Sequence, residues 1–190
     1  EGQLYGGSLS GSAQVEWLDG WQFRSDLGVR QVAIEPALSL FTRNMQASGT
    51  LEAKIRLTTK SVKLETLMDA PQVQATFRLR DGELSGVDLV RAIQSGRSNG
   101  NIGGKTHFNE LSGYLQLANG RYQYRQLKLL TGMMSANGNL EFSAEHSLSG
   151  NLVGELRTRA IVLRTPFTLG GTLATPTLKV ASPPQRPAPP

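Results

Sequence analysis

The stretch that decides the fold is Leu51-Glu52-Ala53-Lys54-Ile55-Arg56-Leu57-Thr58. Apolar and polar residues alternate in it without a break. Successive side chains on a strand point to opposite faces, so this is a strand with one greasy and one wet side. Gln72–Arg80 repeats the pattern through Val73, Ala75, Phe77 and Leu79, and Ser12–Trp17 repeats it through Ala13, Val15 and Trp17. Such alternation belongs to an antiparallel sheet covered on one side only.

The turn chemistry agrees. Asp19-Gly20, Asp81-Gly82, Asn119-Gly120 and Asn137-Gly138 are hairpin dipeptides, and a further turn is expected at Thr131-Gly132. They divide residues 111–144 into a meander of short strands. Within Arg121–Leu130 the apolar phase slips from Tyr122 and Tyr124 to Leu127 and Leu129, which predicts a β-bulge near Gln126. Gly-x-Leu recurs, starting at Gly2, Gly7, Gly49, Gly82, Gly113, Gly138, Gly150, Gly154 and Gly171, with irregular spacing. It reads as a glycine at a bend or strand start followed by a side chain returned to the apolar face.

Two helices interrupt the strands. One follows Glu35-Pro36 and runs over 36–45 through Leu38, Phe41 and Met45. The other covers 86–95, with Ser85 as N-cap, Asp88 completing a capping-box-like pair, and Val87, Val90 and Ile93 as its apolar stripe. Residues 97–106 form a polar, Gly-rich loop. Residues 181–190 are a Pro-rich tail that cannot pair in a sheet and reads as disordered, so a single β-rich domain is expected over 1–180.

Composition narrows the function. Hydrophobic residues make up 38% and charged residues 18%, the balance being small and polar, as short strands and tight turns require. Without cysteine there is no disulfide scaffold, thiolate metal site or Cys nucleophile. The net charge is +5, yet Lys and Arg are interleaved with other residues and form no basic stripe with aromatics, so no nucleic-acid partner is expected. No apolar run reaches the roughly 18 residues of a membrane span. The chain opens at Glu1-Gly2-Gln3-Leu4-Tyr5 as though already within a strand, so it is expected to be part of a longer protein.

No constellation of catalytic residues emerges. His107 and His146 have no ligand spacing, so neither a metal site nor a cofactor is expected. Gly104-Lys105-Thr106 ends like a phosphate-binding loop, but Asn99 stands where the first glycine belongs. The acids sit at turns, helix starts or the wet parity of strands, and do not converge. What remains is the apolar face. From pattern alone it is either the core of a closed β-sandwich, which would dock other proteins through its rim, or an open groove. A glycan-binding module would rely on Trp17, Trp21 and Tyr5.

Four segments carry a resemblance. Leu4-Tyr5-Gly6-Gly7-Ser8-Leu9-Ser10-Gly11, Leu79–Leu89, Phe108–Gly113 with Leu117–Gly120, and Pro166–Pro176 resemble, in order, motifs of the C-terminal region of the AsmA family, which is related to TamB and to bridge-like lipid-transfer proteins. The resemblance covers nearly all of residues 4–178. It implies a mainly β fold, a curled antiparallel sheet or half-barrel groove with one or two short helices on or capping its apolar side. It also implies a periplasmic location, tethered to the bacterial inner membrane by an anchor outside this sequence, and a role in outer-membrane biogenesis. No catalytic residue belongs to the family. The partner implied is phospholipid or another envelope lipid, with other envelope proteins in a supporting part. The residues expected to line the lipid-binding face are Leu51, Ala53, Ile55, Leu57, Val73, Ala75, Phe77, Leu79, Leu115, Leu117, Leu140 and Phe142.

Overall fold

The computed structural model describes residues 1–36, 47–86, 88–95, 103–143, 147–172 and 175–181. Strands β1 (Gly2–Leu4), β2 (Gly7–Trp17), β3 (Trp21–Ala33), β4 (Ala47–Ser61) and β5 (Gln72–Ser85) precede a short helix, α1 (Leu89–Ser95). After it come β6 (Lys105–Ala118), β7 (Arg121–Leu130), β8 (Met134–Ser143), β9 (Leu148–Arg157), β10 (Val162–Gly171) and β11 (Pro176–Val180). All eleven strands form one antiparallel sheet in sequence order, a pure meander. Among the described residues β1 and β11 do not pair, so the sheet is open. It is a single layer, and the closed two-sheet sandwich is thereby corrected: among the described residues no second sheet faces the apolar side.

The turns sort into two kinds. At Asp19-Gly20 and Asn119-Gly120 both residues take positive φ (86° and 130°, then 51° and 70°), and the chain reverses. The other two dipeptides do not reverse it. Asn137-Gly138 lies inside β8, because Met134, Ala136, Gly138, Leu140 and Phe142 keep one parity throughout. Asp81-Gly82 lies inside β5 as a bulge, where two steps of β4, Ser48 to Thr50, oppose three of β5, Arg80 to Glu83. The bulge expected at Gln126 is present, and a third falls between Val29 and Val32. Gln31, Asp81 and Gln126 all take left-handed φ (55°, 49° and 53°). Each bulge rotates its strand by one residue and returns the next apolar side chain to the same face.

Helix α1 begins at Leu89, three residues later than the start read from sequence. Asp88 itself is the N-cap, its Oδ1 accepting the Arg91 N–H at 2.9 Å, whereas Ser85 is still in β5 and its hydroxyl donates to Glu83. The Thr106 hydroxyl accepts the Leu89 N–H at 3.0 Å. Seven residues are too few to hold a helix by propensity, so packing holds this one. Leu89, Ala92 and Ile93 are buried against Leu79, Phe108, Leu129, Met134, Ala136, Leu156 and Phe167, which form the main core. Of the helix expected over 36–45, one helical turn at 34–36 is seen, and the rest lies outside the described residues, as does the tail from 182.

Candidate functional site

The cross-strand register assembles the apolar face row by row. Leu27 pairs with Ile55, Ile55 with Ala75, Ala75 with Leu115, Leu115 with Tyr124, and Tyr124 with Leu140. The next row toward the β2–β3 turn carries Leu57, Val73, Leu117, Tyr122 and Phe142 in the same way. On the other side lie Val29, Ala53 and Phe77, then Val32, Leu51, Leu79, Leu111 and Leu129. All twelve residues expected on this face are therefore brought onto it, in four adjacent rows.

They differ in cover. Helix α1 and its core seal the end holding Leu79, which is 5% exposed. Away from the helix, Ile55, Leu57, Val73, Leu115, Leu117, Leu140 and Phe142 are only half-buried. Sequence reasoning left out Leu27, Val29, Val32, Leu111 and Leu129, and also Tyr122 and Tyr124, although the parity of the two tyrosines placed them with Leu115 and Leu117. Tyr122 stacks on Phe142 with ring centroids 4.4 Å apart, and Tyr124 lies 5.9 Å from Phe142 and meets Phe77 edge-on at 6.1 Å. Burial, then the neighbouring Tyr122, pushes the Tyr124 hydroxyl above its ordinary range.

The same face continues to an exposed end. Trp17 and Trp21 pair across the β2–β3 turn with rings 5.3 Å apart, edge to face. Around them Val15, Trp17, Leu18, Val62, Leu64 and Met68 are each more than half exposed, Val62 reaching 77%. Soluble chains rarely leave so many large apolar groups together at one end of a sheet.

The opposite face is polar and carries scattered ion pairs: Arg56 with Asp26 at 2.8 Å, Arg78 with Glu110 at 3.4 Å, Arg80 with Glu52 at 3.7 Å and Arg121 with Glu141 at 3.3 Å. Solvent screens these pairs, so each adds little stability. A cavity of about 1350 Å³ opens on this side, its side chains drawn from the polar parity of β2 to β7, with Ala53 and Phe77 at its floor. Ile55 and Ala75 line the floor of a smaller, neighbouring one of about 470 Å³. The charged residues of the larger cavity, Arg30, Lys54, Arg78 and Arg125, were not singled out in the sequence because they lie on the wet side of four different strands. At the β5–β6 end, the Lys105 ammonium hydrogen-bonds Glu83 at 2.7 Å and holds that carboxyl below its usual range, with His107 also beside it. No group of acids and histidines among the described residues could hold a metal ion.

Among the described residues the chain is an open, single-layer antiparallel meander with one continuous apolar face. The AsmA family model matches residues 1–127, two thirds of the chain, and the protein belongs to the AsmA family. No curated protein and no solved structure matches it.

Proposed function

We propose that this chain is a periplasmic segment of an inner-membrane-anchored envelope protein that binds phospholipid acyl chains along its apolar sheet face. It acts passively, as a conduit wall and not as an enzyme, and so contributes to outer-membrane biogenesis. The observation that carries this reading is the unbroken apolar row from Leu27 to Leu140, half-buried except at the buried Ala75 and without a second sheet over it among the described residues.

The dimensions fit. From β3 to β8 the row crosses five strand spacings, about 24 Å. Half the hydrocarbon thickness of a bilayer, the reach of one acyl chain, is about 15 Å. Each Å² of hydrocarbon taken from water onto this wall stabilises the complex by about 25 cal/mol. Acyl chains lie against Ile55, Leu115 and Leu140 in the upper row and Leu57, Leu117 and Phe142 in the lower, while α1 closes one end. The exposed Trp17–Met68 end suits a bilayer interface, where tryptophan concentrates.

The test is uptake of a fluorescent phospholipid by delipidated protein. Wild type is expected to take it up, and Ile55→Asp or Phe77→Asp to abolish uptake while far-ultraviolet circular dichroism keeps its strand signature. Wild-type protein that takes up no lipid contradicts the proposal.

A further inference from the structure

The polar-face cavity carries a second, independent reading. One register row crosses it: Ser10, Gly28, Lys54, Thr76, Tyr114 and Arg125. Small residues on β2, β3 and β5 leave the space, and Lys54 and Arg125 project from strands to either side of Thr76. Gln3, Gly6 and Gly7, from the hairpin of β1 and β2, line one side of it. There Tyr5 O accepts the Ala33 N–H, and a Cβ on Gly7 would stand 2.3 Å from Arg30 O, so only glycine lets the hairpin close against the β3 bulge.

The charge is unbalanced. Arg30, Lys54, Arg78 and Arg125 line the cavity against the single acid Glu52. Among the described residues Arg78 is paired with Glu110 and Glu52 with Arg80, both partners outside the lining, and Arg125 donates to the neutral Gln123 side chain at 2.7 Å, so Arg30, Lys54 and Arg125 are the cations without an acid. Among the described residues no acid lies within ion-pair distance of Arg30 or Lys54. Cations of one sign gathered along a cleft focus positive potential, and the guanidinium fork pairs with carboxylate or phosphate oxygens. Hydroxyls of Ser10, Thr76 and Ser112 add neutral hydrogen-bonding groups, and the half-buried Tyr114 adds a ring. The volume exceeds the roughly 300–1,000 Å³ of an ordinary small-molecule pocket, so the occupant is extended. An extended ligand rich in hydroxyls and bearing acids is an anionic saccharide.

We infer that this cavity binds a saccharide carrying carboxylate or phosphate groups, on the face opposite the apolar wall. The test is titration calorimetry of the intact chain with tetragalacturonate, glucose 1,6-bisphosphate, neutral maltotetraose and inorganic phosphate. At least one of the two charged saccharides is expected to bind more tightly than both maltotetraose and inorganic phosphate, and to weaken as salt is added. The Arg30→Gln/Lys54→Gln double variant is expected to lose about a hundredfold in affinity, about tenfold for each charged hydrogen-bond donor. Both side chains are exposed, so its circular dichroism should be unchanged. Arg121→Gln, on the same face but outside the cavity, should bind as wild type. The inference is overturned if maltotetraose binds as well as the charged saccharides, if only inorganic phosphate binds, if none of the four binds, or if the double variant keeps wild-type affinity.

Discussion

The seating of α1 on the sheet gives a prediction with a sign at every step. Ile93 is 2% exposed, and an added Cβ on Gly154 of β9 would lie 2.5 Å from its Cδ1 and 2.7 Å from its Cγ1. Ile93→Ala removes three carbons, roughly 2.4 kcal/mol at about 0.8 each. The cavity left behind raises the cost to about 3 kcal/mol. Gly154→Ala does the opposite, forcing a methyl into filled space at about 1–3 kcal/mol. In the double variant the new methyl enters the hole Ile93 vacates, so the pair is expected to be less destabilised than the two singles together, by about 1 kcal/mol. Urea unfolding measures all four proteins. With a slope of about 2 kcal/mol/M, Ile93→Ala should lower the midpoint by about 1.5 M at unchanged slope. Additivity within about 0.3 kcal/mol, or a cost of Ile93→Ala below the roughly 0.5 kcal/mol of a surface change, would refute the helix–sheet contact as described.

The remaining predictions concern the cap, the bulge and alkaline pH. Asp88→Ala should cost about 1 kcal/mol in the same urea assay, and Asp88→Asn much less, because either oxygen can accept the Arg91 N–H. Asn139→Ala should cost about 1 kcal/mol, since Asn139 Oδ1 accepts the Gln126 N–H at 3.0 Å within the bulge. Gln126→Val should cost more, because a β-branched residue is strained at a φ of 53°. The raised folded pKa of Tyr124 favours its neutral form, so its stabilising effect is complete below the ordinary value of 10.0 and is lost as pH rises through the folded value. Melting temperatures from pH 9 to about 11 should therefore fall less steeply for Tyr124→Phe than for wild type.

Much of the sheet was legible because hydrophobic phase is a local property. The unbroken parity of Leu51–Leu57 and Val73–Leu79 placed their side chains on one face, and the slip at Gln126 located a bulge. The same rule, applied more strictly, separates the glycine dipeptides. Phase runs unchanged through Asn137-Gly138, so the strand continues. It slips by one across Asp81-Gly82, from Leu79 to Leu84, so the strand bulges. Turn propensity outweighed phase in reading both, and tertiary pairing reversed that order. Helix α1 was placed correctly, but its cap was not, because Ser85 and Asp88 are both good N-caps and β5 claims Ser85 through its pairing with Lys105. The polar cavity was beyond sequence reading. Arg30, Lys54, Arg78 and Arg125 lie on four strands and meet only through register, and register depends on bulges whose number has to be known first.

The central claim is that one face of the sheet, and only one, takes hydrocarbon. Photocrosslinking with a phospholipid carrying a diazirine in its acyl chain reads this residue by residue, because neighbours along a strand point to opposite sides. Adducts are expected on Leu57, Leu117 and Phe142 and absent from the adjacent Arg56, Gln116 and Glu141. Label spread evenly over both parities, or concentrated on the polar one, would contradict the account.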